Sequence, residues 1–168
     1  DELTGLYNKR SLNRYLEDVF EACKLNEKEL GILFLDIDYF KQLNDRYGHG
    51  KGDEGICAVA DTLKRIFPED YVARYGGDEF LVVMTGRDLT YVMEHAESLC
   101  AGIRECKIPN EDSEVESWLT ISVGGVCAIP KEPNRVWDFL SAADNTLYEQ
   151  KKEQKGKVRF YQGEGKYL

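Results

Sequence analysis

Two short stretches carry the side chains best suited to chemistry. The run GILFLDID, residues 31–38, is apolar until it closes on Asp36 and Asp38. One residue apart on an extended chain, both carboxylates point to the same side of a sheet. Held together they repel. Either a cation between them relieves this, and hard oxygen ligands suit Mg²⁺ or Mn²⁺, or they cap the helix that follows, where Asp is favoured. The second stretch, RYGGDEF at residues 74–80, sets Gly76 and Gly77 directly before Asp78 and Glu79. A Gly-Gly tip allows positive φ at both central residues of a hairpin and lets a phosphate come close to the main chain. Asp78 and Glu79 then begin the outgoing strand, where a carboxylate can face a metal held by its neighbour. The alternative is a solvated turn in which the glycines serve only the bend. A third stretch, the basic KKEQKGK at residues 151–157, either complements the dipole of a helix end or holds phosphate.

Other patterns fail in context. Gly50, Gly52 and Gly55 satisfy GxGxxG, but the polar NDRYGH precedes them where a dinucleotide site needs a strand. The stretch from Asp36 imitates an EF-hand loop, yet Lys41 and Tyr47 stand where that loop needs glycine and glutamate. There is no Walker A loop, and His49 and His95 have no accompanying serine and acid motif.

The elements that must position these groups follow from periodicity. Apolar residues at helical spacing predict helices over 9–25, 55–67, 89–106 and 136–150, and a short helix is expected over 39–47. GHGKGD is expected to break the chain between residues 47 and 55, and Pro68 to end the helix before it. Strands are expected over 31–38, 118–129 and 158–161, with YVARY and FLVVM forming the hairpin around the glycines. IPNEDSEVES, residues 108–117, reads as a polar excursion. The pattern predicts one α+β domain over residues 1–168, with a mixed, largely antiparallel central sheet and flanking helices. At 168 residues, 42% hydrophobic and 32% charged, the chain can bury a sizeable core, and no apolar run approaches a membrane span. A net charge of -9 opposes binding to a polynucleotide. Five scattered cysteines, without CxxC, suggest buried thiols rather than disulfides or a zinc site.

Five motifs in order resemble the GGDEF domain, the diguanylate cyclase family, which condenses two GTP into cyclic di-GMP: DELTGLYNKR at 1–10, DIDYFKQLNDRYGHGKGDE at 36–54, RYGGDEF at 74–80, TISVGG at 120–125 and AADNTLYEQKK at 142–152. The resemblance implies a nucleotidyl-cyclase or ferredoxin-like palm. It implies that Asp36, the Ile37 carbonyl and Asp78 hold two Mg²⁺ or Mn²⁺ ions, with Glu79 supporting the site. Asn44 and Asp53 would recognise guanine. The amides around Tyr39 and Phe40, with Lys41, would cradle the triphosphate, and Lys151 would add a phosphate contact. Gly76 and Gly77 would lie under the nucleotide. Where the family carries an arginine after the last helix, this chain offers Lys155 or Lys157.

The resemblance further implies GTP as substrate, a homodimer as the active species, and a cytoplasmic output domain of a longer sensor protein that itself has room for a membrane anchor. No nucleic acid or direct membrane contact is expected. The family's RxxD inhibitory site is altered here to FPED, with Phe67 at the arginine position and Asp70 retained, so product feedback through it should be weak or absent. Two other readings stand beside the cyclase: a catalytically weak GGDEF domain that binds GTP and regulates a partner, and a noncatalytic α+β interaction module.

Overall fold

The computed structural model describes residues 1–163 and 168. In chain order the elements are β1 (Tyr7–Asn8), α1 (Lys9–Leu25), β2 (Leu30–Ile37), α2 (Phe40–Tyr47), α3 (His49–Ile66), β3 (Tyr71–Arg74), β4 (Glu79–Thr85), α4 (Leu89–Glu105), β5 (Ile121–Ala128), α5 (Val136–Glu153) and β6 (Val158–Phe160). The strands form one sheet in the order β1-β3-β4-β2-β5-β6. Its core, β3, β4, β2 and β5, is antiparallel throughout, and only the edges β1 and β6 pair in parallel. This is the mixed, largely antiparallel α+β fold that the sequence pattern predicts.

β2 is central and buried at all of its residues, which explains its unbroken apolar run. Leu33, Leu35 and Ile37 pack with α3 and α4 on one face, while Leu30, Ile32 and Phe34 pack with α1 and α5 on the other. Strand parity therefore carries Asp36 onto the α1/α5 side at the end of the sheet. α5 lies directly on β5 at Gly124, where a Cβ would stand 2.3 Å from Leu147 N and 2.4 Å from Ala143 O. Phe139, Ala142, Ala143 and Leu147 face inward, whereas Trp137 and Tyr148, 69% and 61% exposed, face out.

Three local expectations are corrected. GHGKGD does not form a loop: Gly48 alone, at φ 86°, separates α2 from α3. The glycines beyond it serve close packing instead of a break, since a Cβ on Gly52 would meet Asn44 Oδ1 at 1.8 Å and one on Gly55 would meet Leu119 Cδ1 at 2.9 Å. The final helix runs on to Glu153, so Lys151 and Lys152 stand in its last turn. Neither Gly76 nor Gly77 has a positive φ. The hairpin tip is closed by Tyr75 N and Gly76 N, which both donate to Glu79 O at 2.8 and 3.2 Å, and by the Arg74 guanidinium, which donates to the carbonyls of Gly76 and Gly77. β1, two residues long, had no periodic signal to reveal it.

Candidate active site

The site forms where β2, the β3–β4 tip and the end of α5 meet. Glu79 lies opposite Asp36 in the ladder, and Ser122 lies opposite it on the other side. Beyond the ladder, Ile37 N donates to Asp78 O at 3.2 Å, which fastens the tip to the end of β2. Gly76 is glycine for a reason of space: a Cβ there would stand 2.5 Å from Glu79 Oε1, whereas one on Gly77 would meet nothing within 4 Å.

Asp36 is 8% exposed. Lys151 Nζ donates to its Oδ2 at 2.5 Å, while its Oδ1 is buried without a hydrogen-bond partner among the described residues. Burial pushes the Asp36 carboxyl up to about 6; the Lys151 contact pulls it back, and Asp38 and Asp78 add to the rise. Asp78 and Glu79 are also raised, chiefly by burial, with Asp78 and then Asp144 adding to the rise at Glu79. Burial acts against the charge on Lys151, but the Asp36 bond and the surrounding carboxylates outweigh it and raise its pKa. One ammonium thus faces a concentration of negative charge, and one buried carboxylate oxygen beside it has no donor among the described residues.

Asp38 does neither of the things its spacing suggests. Its carboxylate accepts from Thr120 Oγ1 at 2.8 Å and Ser122 Oγ at 2.6 Å, and the residue that caps α2 is Tyr39, without a side-chain bond. Ser122 Oγ also accepts from Gly156 N at 2.9 Å, tying the turn after α5 to the same cluster. The alternation of TISVGG already set Thr120 and Ser122 on one face, so this pairing had a signal in the sequence; the placing of Asn110 beneath the same loop had none.

Asn44, on α2, holds a second buried acceptor, Oδ1, without a partner among the described residues, against Gly52 of α3. Asp53, the residue after Gly52 in α3, is exposed. Phe40 is half-buried and packs on the α3/α4 side of the core, so its side chain is structural while its amide belongs to the start of α2. The Lys41 side chain is exposed and pairs with Asp45 at 3.3 Å, apart from the carboxylates. Lys155 Nζ lies 4.2 Å over the Tyr39 ring. With Tyr39, Glu114, Val115 and Lys151 it lines a pocket of about 290 Å³. Lys157 is exposed and outside that lining; its carbonyl accepts from Val123 N at 3.0 Å. The structure therefore gathers Asp36, Ile37, Asp78, Glu79, Lys151, Tyr39 and Lys155, and of the two candidate lysines it brings only Lys155 to the pocket.

A divalent ion fits this donor set in one specific way. Among the described residues no group of three or more Asp, Glu, His or Cys side chains converges to hold a metal. Two carboxylates and a main-chain oxygen, completed by oxygens of a bound phosphate, would instead suit Mg²⁺, which keeps few protein ligands. The buried Asp36 Oδ1, unpartnered among the described residues, is an atom such an ion would satisfy.

Comparison with known proteins gives the family and agrees with the fold. The family model "Diguanylate cyclase, GGDEF domain" matches residues 1–157. The "Probable diguanylate cyclase DgcC" of Escherichia coli is 33% identical over 153 residues, covering 90% of this chain and 40% of that protein. An "Uncharacterized membrane protein" of Staphylococcus saprophyticus is 31% identical over 161 residues, 95% of this chain and 45% of that protein. The chain thus spans less than half the length of these relatives. Among solved structures, the GGDEF domain of DgcB from Caulobacter crescentus, crystallised with c-di-GMP, superposes with a TM-score of 0.87 at 26% identity, covering 96% of this chain and 94% of that one. No described helix is long and apolar enough to cross a membrane. The chain belongs to the diguanylate cyclase GGDEF-domain family.

Proposed function

We propose that this domain condenses two GTP into cyclic di-GMP with release of pyrophosphate. The observation that carries the reading is the buried Asp36 Oδ1, without a hydrogen-bond partner among the described residues, beside an intact RYGGDEF tip and next to Lys151. Asp36, Asp78 and the Ile37 carbonyl would hold two Mg²⁺ or Mn²⁺ ions, which, when bound, neutralise phosphate charge and make a 3′-hydroxyl a better nucleophile. The chain's own groups do the rest. Lys151 and Lys155 bring positive charge to the phosphates, and Glu79 braces the tip through its contact with Gly76. The amides at the start of α2 hold phosphate oxygens. Asn44 Oδ1 and the Asp53 carboxylate accept hydrogen bonds from N1 and the exocyclic amine of guanine; adenine has no donor at N1 and is disfavoured.

Each domain holds one nucleotide, so two copies face each other across a two-fold axis for the bond to form. A region outside this chain would set that geometry, which makes the domain an output module. Fusion to a constitutive parallel coiled coil should raise specific activity at equal concentration. At the altered RxxD position Phe67 is 1% exposed and packs into the core, so it offers no polar group to a cyclic dinucleotide.

The deciding experiment incubates the concentrated domain with GTP and Mg²⁺ or Mn²⁺, with Asp78→Ala alongside, and separates the products by chromatography. Cyclic di-GMP from the wild type alone supports the reading. Unchanged GTP in both, together with no metal-dependent GTP binding, would remove it in favour of a noncatalytic module.

A further inference from the structure

The turn from β2 into α2 is made by a residue poorly suited to it. Tyr39 sits at φ 53° and ψ 38°, the left-handed region that side chains disfavour and that persists only where surroundings impose it. Residue 38 before it is pinned on one side, through its carboxylate, by Thr120 and Ser122. On the other side lies Asn110, which comes from the polar excursion yet is 1% exposed. Its Nδ2 donates to Asp38 O at 3.3 Å and to Tyr39 O at 3.5 Å.

We propose that Asn110 is a positioning residue for nucleotide binding: its buried amide holds the carbonyls of Asp38 and Tyr39 so that the chain enters α2 with its first amides aimed at the substrate's phosphates. This rests on the reading of the site given above. The excursion does not need the Asn110 side chain to stay in place. Its main chain is fixed by Asn110 N to Ser117 O at 2.8 Å and by the bridge between Pro109 and Trp118. Glu111 and Asp112 pair with Arg46 at 2.6 and 3.0 Å, and Glu116 pairs with Arg104 at 2.9 Å. A buried amide whose donors are spent on two carbonyls of a strained turn, in a segment anchored by other means, has the turn as its task.

The test measures Kd for a non-hydrolysable GTP analogue with Mg²⁺, by titration calorimetry, together with Tm. Asn110→Ala and Asn110→Ser, the second too short to reach either carbonyl, are made in the wild-type and in a Tyr39→Gly background. Asn110 variants should raise Kd about tenfold, equivalent to about 1.4 kcal/mol. In the Tyr39→Gly background the same changes should cost less than about threefold, because glycine enters the left-handed region unaided. A paired Glu111→Gln, Asp112→Asn control, which frees the excursion from Arg46 in the last turn of α2 and leaves the Asn110 bonds at its start intact, should leave Kd within about twofold. Unchanged Kd in folded Asn110 variants, or equal losses in both backgrounds, overturns the inference. A wild type that binds no analogue overturns the reading of the site, and the inference with it.

Discussion

Replacing Asp36 by Asn should make the metal-free domain more stable while removing its chemistry. The carboxyl ordinarily titrates at 3.8 and is pushed up to about 6 in the fold, burial being the largest cause. At about 1.36 kcal/mol per pH unit, ionising Asp36 in the folded state costs about 3 kcal/mol more than in the unfolded chain. That figure already contains the help from Lys151. The sign follows from the direction of the shift: a raised carboxyl favours the folded state below 3.8, and the benefit is lost as pH rises through about 6. Asn imitates the neutral acid at every pH. The variant should therefore exceed wild type by about 2–3 kcal/mol at about pH 8, with the gap closing by about pH 4. In Tm this is about 5–10 °C for a chain of this size. Urea unfolding of EDTA-treated protein across that pH range reads the difference directly. A variant no more stable than wild type at about pH 8, or a gap independent of pH, would refute the reasoning. The same substitution should lower cyclic di-GMP synthesis by at least about a hundredfold, as expected when a charge serving the reaction is removed.

Gly76→Ala should displace the Glu79 carboxylate and reduce turnover by at least about tenfold, with less than about 1 kcal/mol of destabilisation, whereas Gly77→Ala should remain close to wild type; equal effects in a steady-state assay would contradict the space argument. Gly124→Ala forces a methyl into the α5 main chain and should cost about 2–4 kcal/mol in denaturant unfolding, with lost activity because the helix that carries Lys151 must shift. Titration with cyclic di-GMP should show no tight saturable site that depends on Asp70; binding lost in Asp70→Ala would reverse the expectation drawn from Phe67.

The sequence made the fold class and most of the candidate site legible, for reasons visible in particular residues. The unbroken apolar run before Asp36 read as a doubly covered strand, and β2 is one, while the five motifs pointed to the tip, Asn44, Asp53 and Lys151 as candidates. Glycine misled twice. GHGKGD looked like a breaker because local propensity says nothing of Asn44 and Leu119, whose nearness makes Gly52 and Gly55 necessary inside a helix. Gly-Gly at the tip suggested positive φ, but the constraint was the Glu79 side chain above it. Asp38 was paired with Asp36 by parity, correctly, yet its partners lay on β5, more than eighty residues away; alternation in TISVGG put Thr120 and Ser122 on one face but could not say which strand that face would meet. Asn110 was hidden for the same reason, within a segment whose composition announced only solvent.

The direct seating of α5 on β5 at Gly124 divides the helix into two independent territories. Lys151 follows one turn after Leu147, so the ammonium and Asp36 on the adjoining strand are surveyed from one rigid benchmark, with no intervening side chain to act as a cushion. The outer territory, bearing Trp137 and Tyr148, has no share in that alignment. It is a surface on which substitutions can accumulate, or a neighbour can be accommodated, while the spacing between Lys151 and Asp36 stays as the backbone contact set it.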